Sequence, residues 1–124
     1  MTVWLLLAAG GGAGALARYA VAGWVYRRSG AGFPWGTLFV NIVGSFLLGV
    51  VVTGLASSPF HLQLGALLGI GFLGDFTTFS TLAYESVMLA REREWARALF
   101  YLFGSTVLAV LAVIAGMFCG AGLR

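Results

Sequence analysis

Apolar residues run in four long blocks separated by short polar punctuation. The first extends from about Val3 to Tyr26 and stops at Arg27-Arg28-Ser29-Gly30. A turn with Gly32 and Pro34 leads into the second, from about Trp35 to Ala56, which Ser57-Ser58-Pro59 ends. The third runs from about His61 to Ala90 and gives way to Arg91-Glu92-Arg93-Glu94, and the fourth runs from about Trp95 to Ala121. A helix needs roughly 20 apolar residues to cross the hydrocarbon of a bilayer, and each block is long enough. The pattern predicts an all-α integral membrane protein of four transmembrane helices, one domain over residues 1–124, without linker, low-complexity tract or internal repeat. Trp4, Trp24, Trp35 and Trp95 stand near the predicted ends, where aromatic belts form. The first block lacks a basic leader and is longer than the 7–15-residue core of a signal peptide, so it reads as a retained helix.

The third block is unlike the others. Its apolar run stops at Gly71-Phe72-Leu73-Gly74, passes through Asp75-Phe76-Thr77-Thr78-Phe79-Ser80-Thr81, and resumes at Leu82. A continuous helix would need those hydroxyls to bond back to the preceding turn. A glycine, an aspartate and four hydroxyls within the eight residues 74–81 favour a helix broken near its middle. Irregular backbone at membrane depth is tolerated only beside protein or a polar cavity. Its freed carbonyls and amides then become available to ions.

Composition sharpens this picture: 60% of residues are hydrophobic and 9% charged, with a mean hydropathy of +0.99. Soluble domains carry about 25% charge, so water is not the main solvent. The net charge of +3 comes from arginines near block ends, where they suit lipid headgroups rather than nucleic acid. The single cysteine excludes an internal disulfide, and the single histidine excludes a histidine pair within one chain. No nucleophile–base pair or metal-ligand cluster suggests an enzyme. Arg27, Arg28, Arg91, Arg93 and Arg97 fall on one side of the predicted spans, and His61 and Arg124 on the other. Counting basic residues, this favours one dominant orientation with both arginine-bearing turns inside.

Helical spacing then picks out the polar faces. Thr37, Asn41, Gly44, Ser45 and Leu48 share one face of the second helix, readable as a packing seam or as a polar track. Gly10 with Gly14, and Gly65 with Gly69, have the spacing of close helix contacts. Ser105, Ala109, Ala112 and Gly116 form a small-residue stripe on the fourth helix. Hydroxyl and amide hydrogens, with the positive ring edges of Phe76 and Phe79, suit a small anion in a narrow apolar surround. Carbonyls near Gly74 suit a hard cation.

These features resemble the Fluc (CrcB-type) fluoride channels over essentially the whole chain. The resemblance rests on Gly11-Gly12-Ala13-Gly14-Ala15-Leu16-Ala17-Arg18-Tyr19, on the run from Gly36 through Asn41 to Phe46, and on Gly71-Phe72-Leu73-Gly74-Asp75-Phe76-Thr77-Thr78-Phe79-Ser80-Thr81. It implies passive fluoride export across the plasma (inner) membrane by an antiparallel dimer with two pores. It further implies a structural Na⁺ held by backbone carbonyls of Gly74 and Thr77 from both subunits. Asn41 and Phe79 would line the fluoride pathway, with Ser80, Thr81 and Ser105 in its polar track and Arg18 and Glu85 at the pore entrance. The family's second pore phenylalanine falls at Leu82, which removes one aromatic edge from that pathway. Asp75 replaces a small residue and is expected to cap the second half-helix.

The partner is a second copy or an oppositely oriented paralogue. Alternatives are a non-conducting or asymmetric subunit of a heterodimeric fluoride channel, and a small multidrug-type exporter. The exporter would need an acid in the first helix, where Arg18 is the only charged residue before the terminal arginine pair.

Overall fold

The computed structural model describes residues 1–123. Within them the chain is helical, in the order α1 (Thr2–Ser29), α2 (Trp35–Gly54), α3 (His61–Leu64), a π-helical stretch (Gly65–Leu73), α4 (Gly74–Phe76), α5 (Phe79–Arg91) and α6 (Trp95–Ala121). Four spans, Thr2–Ser29, Trp35–Gly54, His61–Arg91 and Trp95–Ala121, are long and apolar enough to cross a membrane. Their outer faces are apolar too: Leu16, Phe100 and Phe118 are 73%, 75% and 78% exposed. An aqueous monomer seldom carries so much exposed apolar surface, whereas lipid solvates it. The molecule is a multi-pass helical membrane protein.

Glycine decides which helices touch. A Cβ at Gly10 or Gly14 of α1 would overlap backbone atoms of Leu67 or Phe72. One at Gly49 of α2 or Gly116 of α6 would overlap the backbone of the other helix. Such contact is how helices gain dispersion energy in lipid, where apolar burial drives little. α1 therefore lies along the π-helical stretch, and α2 along α6. The Gly65–Gly69 pair makes no comparable seam: a Cβ at Gly65 meets open space, and one at Gly69 meets only side-chain carbons of Leu48 and Val51 at 3.9 and 4.0 Å. Gly71 takes that role instead, 3.1 Å from the Cα of Gly10 when given a Cβ. The reason is the wider π turn, in which Gly74 N–H reaches back five residues to Gly69 O. It changes which face the following residues present.

The third span leaves helical geometry at Thr77 (ψ 159°) and Thr78 (φ −151°, ψ 122°). The residues before this pair pack on α1, while α5 packs on α6. Leu82 and Leu89 of α5 join Ala98 and Tyr101 of α6 in a buried cluster. The two extended residues thus mark where the span changes neighbours.

Candidate functional site

Because Thr77 is extended, the Thr78 amide turns away from Gly74 O, its helical partner, toward α2. There Asn41, 6% exposed, takes both of its backbone polar groups. Thr78 N donates to Asn41 Oδ1 at 2.7 Å, and Asn41 Nδ2 donates to Thr78 O at 2.9 Å. Buried backbone N–H and C=O groups require such partners. The amide suits the task because it offers an acceptor and a donor side by side.

Thr78 also starts α5, its Oγ1 accepting from Thr81 N at 3.2 Å. The same hydroxyl donates to Thr81 Oγ1 at 3.0 Å and lies 3.2 Å from Ser80 Oγ. The cap expected of Asp75 is thus made by Thr78. Asp75 is exposed and three residues too early, in the first turn of α4. Its carboxylate occupies the space that Gly11 leaves by having no side chain.

Cavities lie on both sides of this join. One of about 320 Å³ is bounded by Asn41, Ser45, Thr78, Phe79, Leu82 and Ser105. Phe79 is 72% exposed and Leu82 only 4%, so Leu82 serves both this wall and the α5–α6 core. Ser105 Oγ, in a residue 3% exposed, is the one buried side-chain oxygen or nitrogen without a partner among the described residues. Neighbouring hydroxyls satisfy themselves: Thr106 bonds back to Leu102 O at 2.8 Å and Ser86 to Leu82 O at 2.7 Å. Leaving a buried hydroxyl unmatched costs about 1–3 kcal/mol, so Ser105 Oγ is a donor with capacity to spare beside this cavity.

A second cavity of about 470 Å³ is bounded by Arg18, Tyr26, Thr37, Thr78, Thr81 and Glu85. The residues of interest therefore divide: Asn41, Phe79, Leu82 and Ser105 meet at one cavity, and Arg18, Thr81 and Glu85 at the other. Ser80 is exposed beside Thr78. Glu85 accepts from Tyr26 Oη at 2.5 Å and from Tyr101 Oη at 2.7 Å. Sequence reasoning singled out neither tyrosine. Arg18, Ala22 and Tyr26 recur every four residues on α1, a spacing that would have placed Tyr26 on the face of Arg18.

The carbonyls of Gly74 and Thr77 fit a hard cation in kind, being neutral oxygens outside regular helical bonding. Gly74 is exposed, and its oxygen accepts a long 3.4 Å bond from Thr77 Oγ1. Arg18 Nη1 donates to Thr77 O at 3.2 Å. Two carbonyls are too few for a hard cation, which gathers several oxygens, so a second chain would have to supply more.

Fold and site together define a multi-pass helical membrane protein with donor-bearing cavities beside an irregular segment of one span. The chain belongs to the CrcB family: residues 5–117 match the family described as "CrcB-like protein, Camphor Resistance (CrcB)". It is similar to the fluoride-specific ion channel FluC of Thermus thermophilus, with 43% identity over 120 residues, 97% of this chain and 94% of that protein. FluC of Geobacter sulfurreducens is 42% identical over 118 residues, covering 94% and 95%. FluC 1 of Geobacillus kaustophilus is 50% identical over 98 residues, covering 79% and 80%.

The Asn41–Thr78 geometry makes a graded prediction for thermal unfolding in detergent. Thr78→Ala removes the α5 cap, at about 1 kcal/mol, with the hydroxyl contacts to Thr81 and Ser80, but leaves both backbone bonds to Asn41. Asn41→Ala strands a buried N–H and a buried C=O, at about 1–3 kcal/mol each. The order wild type, Thr78→Ala, Asn41→Ala is expected, and an Asn41→Ala protein as stable as wild type would remove the join from this account.

Proposed function

We propose that the chain is a fluoride-selective passive channel that lets cytoplasmic fluoride leave across the plasma membrane, working as a dimer with its partner reversed. The observation that carries this reading is the orphaned Ser105 hydroxyl in a cavity shared with Asn41 and the exposed ring of Phe79. The names of the relatives point the same way. Fluoride is small and strongly hydrated, so a path for it must replace water with hydrogen-bond donors. Ser105, Ser45 and the ring edge of Phe79 supply positive hydrogens, while Leu48 and Val110 keep the surround apolar. A larger anion would lose its water without gaining enough contacts.

In this reading the extended Thr77–Thr78 pair is a break of the third helix at membrane depth. Its carbonyls at Gly74 and Thr77, with those of a second copy, would hold Na⁺. When bound, that ion supplies a fixed positive charge and ties the copies together. Arg18, on the same Thr77 carbonyl, keeps that oxygen partnered within the single chain.

Purified protein in liposomes should release fluoride far faster than chloride, as read by ion-selective electrodes. It should also lose thermal stability when Na⁺ is replaced by a large organic cation. Fluoride release no faster than from empty liposomes, by folded dimeric protein, contradicts channel function. Equal stability in both cations removes Na⁺ from it.

A second reading, a heterodimer with an oppositely biased paralogue, is favoured by one observation. Arg27, Arg28, Arg91, Arg93 and Arg97 are exposed at one end of the molecule, around the α1–α2 and α5–α6 turns. The other end carries His61, and Arg124 lies outside the described residues. This asymmetry drives insertion with the arginine-rich end inside. A Ser29→Cys side chain should then be protected from impermeant thiol reagents in intact cells. Labelling of about half the molecules, as equal insertion both ways requires, would restore the homodimer.

A further inference from the structure

Tyr26 and Glu85 are the side chains that two neighbouring cavities have in common. The inner cavity is the one that reaches Thr78. The outer one, about 330 Å³, is bounded by Phe33, Pro34, Tyr84 and Glu92 near the arginine-rich end. The hydrogen bond from Tyr26 Oη to Glu85 Oε1, 2.5 Å long, is therefore part of the wall they share.

Both phenols donate, each to a different oxygen of Glu85. Two donated bonds, one at each oxygen, are the pattern an ionised carboxylate would accept. Its holders are themselves fixed. Tyr101 is 1% exposed and meets Phe33 edge-on, with ring centroids 5.3 Å apart. The Tyr26 ring is seated on Gly36, where a Cβ would come within 2.7 Å of Tyr26 Cε2. Its hydroxyl also lies 3.3 Å from Thr37 Oγ1. The other charged groups on these walls are Arg18 in the inner cavity and Glu92 in the outer.

An anion passing between the cavities would meet a negative charge at this wall. We propose that Tyr26 is a positioning residue for the anion path: with Tyr101 it gives each oxygen of the Glu85 carboxylate a donor and holds it against the helices, so that no carboxylate oxygen without a donor faces the passage. The proposal deepens, and rests on, the reading of the chain as a fluoride channel. The phenol on α1 fixes where the Glu85 carboxyl stands without adding a charge that would trap the anion.

The test compares wild type, Tyr26→Phe, and Tyr26→Phe with Glu85→Gln, in liposomes and by infrared difference spectroscopy. Tyr26→Phe keeps the ring on Gly36 but bares Glu85 Oε1. Fluoride release should slow by about tenfold or more, the scale of one lost charge-assisted hydrogen bond. Adding Glu85→Gln removes the bared charge and should bring release back toward wild type. A purely structural Tyr26 would not be rescued by losing its partner as well. Wild-type release from Tyr26→Phe, or a double variant no faster than Tyr26→Phe, overturns the proposal.

The infrared arm needs no flux. Carboxylate bands assigned by subtracting the Glu85→Gln spectrum should be those of an ionised group in wild type and should shift in Tyr26→Phe. A protonated-acid band, or no shift, also overturns it. Wild type that passes no fluoride would refute the channel reading, and the infrared arm would still decide the role of Tyr26. Should Tyr26→Phe fail to fold, fluorotyrosine at position 26, a stronger donor of nearly the same shape, is read through the same bands with the same two outcomes.

Discussion

The pair of hydrogen bonds between the Asn41 amide and the Thr78 backbone is the contact on which the remaining geometry depends. A buried residue that leaves helical geometry must find other partners for its N–H and C=O, because leaving such groups unmatched is costly. One side chain from α2 satisfies both groups of Thr78. Three consequences follow along the chain. Gly74 O loses its helical partner. Thr77 O becomes available to Arg18. α5 begins afresh, with the Thr78 hydroxyl as its cap.

That restart gives the third span two sets of neighbours. Before Thr77 the chain runs beside α1, held by contacts that only glycine permits at positions 10, 14 and 71. After Thr78 it lies on α6, with Leu82 and Leu89 in a core with Tyr101. A continuous helix could follow one of these partners but not both. The cavities sit on the two sides of this change of course and share Thr78 in their walls. Donor groups thus line the interior while the outer surface stays apolar for lipid.

Much of this is legible in the residues. Hydropathy alone gives the four spans and their turns, because about 20 apolar residues in a row have few other uses. Period-3.6 spacing puts Thr37, Asn41 and Ser45 on one face, and the structure places Asn41 inward. Periodicity reports which face a residue occupies, however, and not what stands opposite. The bond from Asn41 to Thr78 joins residues 37 apart, and nothing local in either segment announces it. Gly65 and Gly69 have the spacing of a close contact, but the π-helical turns between them move Gly71 to the seam. Asp75 has the chemistry of a cap but stands three residues before Thr78, the residue whose extended backbone starts the helix. Tyr26 and Tyr101 read as ordinary aromatic residues of apolar helices until the fold brings both to Glu85.

The Asn41 amide joins the irregular segment to α2 and borders the cavity that holds Ser105, and the proposed fluoride path needs it in both places. Fluoride release from liposomes by Asn41→Asp, compared with wild type at matched amounts of folded dimer, tests that need most directly. Aspartate cannot donate to Thr78 O and adds a negative charge to a wall of the cavity that holds Ser105. Release no faster than from empty liposomes is expected, and wild-type release from that variant would contradict a role for Asn41 in the fluoride path.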